Sequence, residues 1–147
     1  MYYPNEEALK EFFCSIIDGS LAVNELPPFL DNITKIYSYT FAYCHNLALT
    51  SLPKHITQIG AYAFTECSSL ALTSIPKNVD SIGFAAFRGC SNLTTLTFKG
   101  TPSDIDDNAF EFCTNLTTIN VPWAEGAVAN APWGATHATI NYNYTGE

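Results

Sequence analysis

Ile82-Gly-Phe-Ala-Ala-Phe87-Arg-Gly-Cys90-Ser-Asn-Leu93 follows, at a distance of 23 residues, Ile59-Gly-Ala-Tyr-Ala-Phe64-Thr-Glu-Cys67-Ser-Ser-Leu70. The same step runs outward from these two stretches. It spaces Phe41, Phe64, Phe87 and Phe110, and likewise Cys44, Cys67, Cys90 and Cys113. Leu47, Leu70, Leu93 and Leu116 keep it, as do Ile36, Ile59, Ile82 and Ile105. Four columns held in register without an insertion exclude chance. A fixed period of this length specifies a solenoid, in which each repeat buries its apolar face only against its neighbours. Such chains work by presenting a surface rather than by assembling a catalytic pocket.

Full repeats start at Ile33, Ile56, Val79 and about Pro102, and Leu21 to Pro27 is a partial one. Each full repeat opens with an apolar-x-x-apolar piece such as Ile56 to Ile59. A tight turn then leads into a short helical stretch, Gly60 to Phe64 or Gly83 to Phe87, with the glycines suited to positive φ. A β-segment follows: Leu93, Leu96 and Phe98 point inward, as do Leu116, Ile119 and Val121, separated by strand-favouring threonines. Pro53, Pro76 and Pro122 close these strands, because proline cannot donate to a ladder. The two earlier strands depart from the pattern. Thr50 and Thr73 occupy the column of Leu96 and Ile119, with Leu49 and Leu72 one place earlier, which requires either a bulge or an altered facing.

Residues 5–18 carry Leu9, Phe12, Phe13, Ile16 and Ile17 at helical spacing, with Asn5 as N-cap and Gly19 just beyond the end. This predicts a helix capping the first rung. Residues 123–147 break the period, and Trp123, Trp133 and a terminal alternating run predict a closing cap with one last strand. The expected architecture is a single domain over 1–147. It is an α/β solenoid with a parallel β-strand face and short helical turns. An N-terminal helical cap spans 1–20, the repeats span 21–122, and a C-terminal aromatic and strand cap spans 123–147.

The chain is 47% hydrophobic and only 14% charged, with a net charge of −8. That balance excludes a nucleic-acid partner, which needs a basic stripe, and disfavours an anionic membrane surface. No apolar run is long enough for a membrane-spanning helix, so no membrane insertion is expected. Glu6, Glu7, Lys10 and Glu11 stand where a signal peptide needs a basic then apolar run. The protein therefore stays where it is made, had a signal removed, or leaves by another route.

Chemistry-bearing residues are few, and the expectation is no enzyme, no cofactor and no metal. Side chains in a parallel ladder point the same way. The repeat cysteines therefore cannot bridge one another or converge on a tetrahedral ion, and all five cysteines are expected as free thiols. His45, His55 and His137 fall in unrelated columns. Asp104, Asp106, Asp107 and Glu111 cluster, but without calcium-loop spacing, and form a solvated turn. Asn32, Asn92, Asn115 and Asn143 each begin an Asn-x-Thr sequon, relevant only in a eukaryotic secretory host. Asn92 and Asn115 fill a repeated turn slot.

Aromatic residues outside the core columns are the surplus. Tyr39 and Tyr62 share one column, and Phe84, Tyr43 and Phe112, with Tyr37, lie in neighbouring ones. Either they project outward as a contact strip or they pad the outer side of each turn. Tyr39, Tyr62, Phe84, Tyr43 and Phe112 are the candidate binding residues. The flat strand face of Thr94, Thr95, Thr97, Thr117, Thr118 and Asn120 is the competing surface.

The string Ile-Gly-x-x-Ala-Phe-x-x-Cys-x-x-Leu resembles the BspA-like, treponemal-type leucine-rich repeats over residues 21–122. Tyr37 and Thr40 replace Gly and Ala in the first repeat, and Asp106 replaces Gly in the last. The resemblance implies a non-catalytic, adhesin-like module for a protein or cell-surface ligand, on a cell surface or a virion. Val121 to Gly126 and Asn141 to Tyr144 look like the end piece of phage-associated members. The alternative role is thus a structural or receptor-binding part of a phage or prophage tail-like assembly.

Overall fold

The computed structural model describes Leu26 and residues 30–146. The expected N-terminal helix and cap over 1–20 lie outside these residues. Among the described residues, eight short strands form two parallel sheets. One contains β1 (Lys35–Ile36), β2 (Gln58–Ile59), β4 (Ser81–Ile82) and β6 (Asp104–Ile105), in that order. The other contains β3 (Ser74–Ile75), β5 (Thr95–Phe98), β7 (Thr118–Asn120) and β8 (Thr139–Asn141). The register follows the sequence period: Ile36 opposes Ile59, Ile59 opposes Ile82, and Ile82 opposes Ile105.

The columns are the core. Phe41, Phe64, Phe87 and Phe110 are fully buried and stack with centroids 5.3, 5.3 and 5.2 Å apart. Leu47, Leu70, Leu93 and Leu116 are equally buried. This spacing is the rung-to-rung distance of a parallel sheet, about 4.8 Å. One rung therefore delivers one ring onto the next.

The segments expected as short helices are not helical. In Gly60–Cys67 alternate amides make three-residue turns: Ala63 N–H to Gly60 O, Thr65 N–H to Tyr62 O, Cys67 N–H to Phe64 O. The amides between them reach the next rung, as Tyr62, Phe64 and Glu66 donate to Phe84, Ala86 and Arg88 carbonyls. A helix would keep every bond local. Here left-handed residues recur instead, with φ near 60° at Tyr39, Tyr62, Tyr43, Glu66 and Phe112, and at Ala85. The competing interaction is the lateral backbone ladder, which a helical turn cannot offer. The fold is accordingly a parallel-strand β-solenoid with 23-residue repeats rather than an α/β one.

Gly60 and Gly83 also serve a purpose other than the one the sequence suggests. Neither has positive φ. A Cβ on Gly60 would lie 2.5 Å from Ser38 N, and one on Gly83 2.6 Å from Ala61 N. The glycines let successive rungs nest backbone on backbone. The left-handed glycine of the repeat is Gly89, in the column of Tyr43, Glu66 and Phe112.

The departure at Thr50 and Thr73 is an altered facing. Leu49 and Leu72 are buried, and both threonines are exposed. Leu70, Leu72 and Ile75 point inward in this rung, against Leu93, Leu96 and Phe98 in the next. The extra residue between inward side chains has moved from before the middle position to after it.

Residues 123–147 hold a further rung. Trp133 stands 23 residues after Phe110, is fully buried, and accepts the Phe110 N–H at 2.8 Å. Trp133, Trp123 and Phe98 pack edge to face or tilted at 5.3–6.2 Å and close the core. Trp133 Nε1 donates to Ala129 O, whereas Trp123 Nε1 is buried without a partner among the described residues. β8 then extends the second sheet, pairing Ile140 with Ile119.

Candidate binding surface

Tyr39, Tyr62, Tyr43 and Phe112 stand on left-handed backbone, and Phe84 directly precedes the left-handed Ala85. Tyr39 and Tyr62 occupy one positive-φ column, Tyr43 and Phe112 the other. Tyr39 is 46% exposed, Phe84 40%, Tyr43 59% and Phe112 58%. Tyr62 is half-buried between its neighbours. The candidates form two groups. Tyr39 stacks on Tyr62 at 4.8 Å with planes 7° apart, and Phe84 meets Tyr62 edge-on at 5.5 Å. These three make a continuous row across three rungs. Phe112 instead carries Arg88, whose Cζ lies 4.9 Å from its ring centre, and Arg88 pairs with Glu111 at 2.9 Å. Tyr43 and Phe112 share a column, but Glu66 and Gly89 separate them. The ring faces within the Tyr39–Tyr62 row are taken by each other, so the row offers edges and phenol hydroxyls to a partner. Tyr37, half exposed, extends the aromatic surface one column away.

Part of the competing strand face is internally satisfied. Asn120 is buried and donates from Nδ2 to Thr97 Oγ1 at 3.1 Å. Asn141 Nδ2 donates in turn to Asn120 Oδ1 at 2.8 Å. A polar ladder that meets its own hydrogen bonds has less to gain from a partner. Thr95 and Thr117 remain exposed.

The cysteines divide. Cys67, Cys90 and Cys113 are free and buried, and each thiol donates to a phenylalanine carbonyl of the preceding rung. Burial pushes the Cys67 and Cys113 thiols up to about 12 and moves Cys90 in the same direction. They are inert near neutrality, since the thiolate is the reactive form. Cys44, however, is disulfide-bonded. This corrects the expectation of five free thiols. Ladder geometry forbids a bridge along the column but not one to a residue off it, and Cys44 is the first of its column.

The remaining polar candidates resolve into turn chemistry. His45 Nδ1 faces Ser68 Oγ at 3.4 Å, one rung away, with no carboxylate in the pair. Asn92 and Asn115 donate to Ser69 and Ser91 carbonyls of the preceding rung. Glu111 leaves the acidic cluster for Arg88. Asp106 Oδ1 accepts the Asn108 N–H at 3.2 Å. Desolvation, with Asp107 and Asp104 close by, still holds the Asp106 carboxyl above its usual range. No helix among the described residues is long and apolar enough to cross a membrane.

The sequence missed a shallow trough on the first sheet. Its lining includes Lys35, Gln58, Gly60, Ser81, Gly83 and Asp104.

A family model described as the BspA type leucine-rich repeat region matches residues 25–127 in six copies. Among curated proteins, none matches the chain.

Proposed function

The chain belongs to the BspA-type leucine-rich repeat family, and from that premise we propose that it is a non-catalytic, adhesin-like binding module for a protein or cell-surface ligand. The observation that carries this reading is the exposed row of Tyr39, Tyr62 and Phe84, held ring to ring across three rungs. Rigid aromatic side chains bury area at low entropic cost and dominate binding energy where they cluster. Each rung fixes one ring by backbone bonds to its neighbour, so little ordering remains to be done on association. The second group, Phe112 with Arg88, supplies a cation above a ring, a pairing also common in interfaces. Tyr43 stands apart from both groups, three rungs from Phe112 in the same column, as a peripheral contact.

The test is capture from a host-surface protein extract by the immobilised chain, compared with a Tyr39→Asn/Tyr62→Asn variant. Asparagine tolerates the left-handed backbone at both positions, so the fold is kept. The expected loss is about 2 kcal/mol, near thirtyfold in affinity. Unchanged capture by this variant, together with its loss in Thr95→Lys/Thr118→Lys, would move the site to the strand face.

A further inference from the structure

The second sheet ends at β8, whose far edge pairs with no strand among the described residues. On its near side the Thr139 N–H donates to Thr117 O at 2.9 Å, and the Asn141 carbonyl accepts the Val121 N–H at 3.0 Å. Neighbouring residues of a strand turn their backbone groups to opposite edges, so the N–H and carbonyl of Ile140 face away from β7. The other sheet ends are guarded. In the first sheet β1 carries Lys35 and β6 carries Asp104, and Asn130 Nδ2 donates to Ile105 O at 3.3 Å. In the second, the segment leading into β3 is tied to the preceding rung, by Ala71 N–H to Leu49 O and Thr73 N–H to Thr50 O. An exposed edge is ordinarily blunted by charge, proline or a covering segment. Residues 138–144, Ala-Thr-Ile-Asn-Tyr-Asn-Tyr, hold neither a charged side chain nor a proline. Residues 126–146 carry no Asp, Glu, Lys or Arg at all, in a chain of net charge −8. This stretch can meet a copy of itself without opposing like charges. The asparagine ladder also stops here. Asn141 donates through Nδ2 to Asn120 Oδ1 at 2.8 Å, and its own Oδ1 accepts nothing among the described residues.

We infer that β8 pairs antiparallel with β8 of a second copy of this chain, about a two-fold axis at Ile140. Such an axis brings the same patch of both chains together, as a closed dimer requires. Ile140 then exchanges both backbone hydrogen bonds with Ile140 of the second copy, and the four-stranded sheet doubles to eight strands. The side chains match in this register. On the core side Ile140 lies against its own copy and Ala138 beside Tyr142 of the second chain, a small residue against a large one. All three are only partly buried in the single chain. On the outer side the exposed Thr139 stands opposite the exposed Asn141 of the second copy. Its hydroxyl thus reaches the Oδ1 that the ladder leaves open. A head-to-tail filament would instead need the β3 edge, which the preceding rung occupies. The dimer carries the aromatic row twice, which raises avidity without a new contact. That consequence rests on the binding reading above, whereas the dimer itself does not.

The test is sedimentation velocity of the chain over a dilution series up to millimolar protein, with amide hydrogen exchange read at Ile140. A monomer–dimer equilibrium is expected, and the Ile140 N–H should exchange more slowly as the protein is concentrated. Two double variants fix the register. Thr139→Lys/Asn141→Lys opposes like charges across the axis and should raise the dissociation constant by about tenfold or more. Thr139→Lys/Asn141→Glu opposes each lysine to a glutamate of the second copy and should dimerise about tenfold or more tightly than the double-lysine variant. Both lose the bond from Asn141 to Asn120, so their difference reports the pairing across the axis. Thermal melts of the dilute proteins confirm that both fold. A monomer throughout the series, growth beyond the dimer, or equal dimerisation of the two variants overturns the proposal. A monomer would leave the edge to a strand of another protein. None of these results bears on the aromatic-row reading, which the Tyr39→Asn/Tyr62→Asn variant decides.

Discussion

The Cys90 thiol donates a hydrogen bond of 3.1 Å to the carbonyl of Phe64, 26 residues earlier. Cys67 does the same to Phe41 at 2.9 Å, and Cys113 to Phe87 at 3.0 Å. The separation is one repeat plus three residues. Each cysteine column is therefore bonded to the phenylalanine column of the rung before it. The cysteine fills a small buried site and gives a second donor to a carbonyl that already accepts the cysteine N–H of its own turn. That explains why cysteine recurs at positions 67, 90 and 113, where the thiols stay free.

Ionisation of these thiols opposes folding. Cys67 and Cys113 titrate near 9.0 when exposed but at about 12 in the fold. Below pH 9 both states carry the proton and stability is complete. Above it the unfolded chain releases protons that the folded one retains, so stability falls as pH rises toward 12. A Cys67→Ser/Cys113→Ser variant keeps hydroxyl donors for the two carbonyls but does not ionise in this range. Thermal melts between pH 8 and 11 should show a steeper decline for the wild type than for the variant. Parallel curves would contradict the burial of these thiols.

Labelling gives an independent reading of the cysteines. Iodoacetamide at pH 8 should leave Cys67, Cys90 and Cys113 unmodified in the native protein. In denaturant without reductant all three should react, as mapped on peptides. Cys44 should react only after reduction. Modification of Cys44 before reduction would refute its disulfide.

The phenylalanine stack sets the scale of core stability. Phe64→Ala or Phe87→Ala removes a ring sandwiched between two others and should cost about 3–5 kcal/mol in denaturant melts. Each substitution also opens a gap that its neighbours, pinned by inter-rung bonds, cannot close. A loss under about 1 kcal/mol for both is incompatible with the stack.

Glycine substitutions separate close approach from backbone handedness. Gly60→Ala places a Cβ against Ser38 N and should destabilise by about 1–3 kcal/mol, the cost of overpacking against something that cannot move aside. Glu66→Gly acts in the opposite direction. Glu66 holds φ 57° in the column where Gly89 is native. Relief of roughly 1–2 kcal/mol of left-handed strain exceeds the added entropy of glycine, about 0.5–1 kcal/mol. A higher midpoint for Glu66→Gly and a lower one for Gly60→Ala are the expected pair. The reverse order would invert the assignment of the two columns.

The period was fully legible in the chain, and with it the register and the buried columns, whereas the outward placement of Tyr39, Tyr43, Phe84 and Phe112 was left open. Register and columns follow from local composition repeated at a fixed interval, because a solenoid buries each repeat against a copy of itself. Even the last rung was written there, since Trp133 keeps the phenylalanine step. The loss of the surrounding motif concealed it. Three features were settled only in three dimensions. The Gly60–Cys67 segment has the residues of a helical turn, yet its amides bond across to Phe84, Ala86 and Arg88, and no local pattern records that competition. The disulfide at Cys44 sets it apart from Cys67, Cys90 and Cys113, which occupy the same column as free thiols. The separation of the aromatic residues into a continuous Tyr39–Tyr62–Phe84 row and a distant Arg88–Phe112 pair depends on stacking between rungs. Sequence spacing fixes which column a residue occupies. Which side chains touch is decided by the backbone ladder that brings residues one repeat apart to about 5 Å.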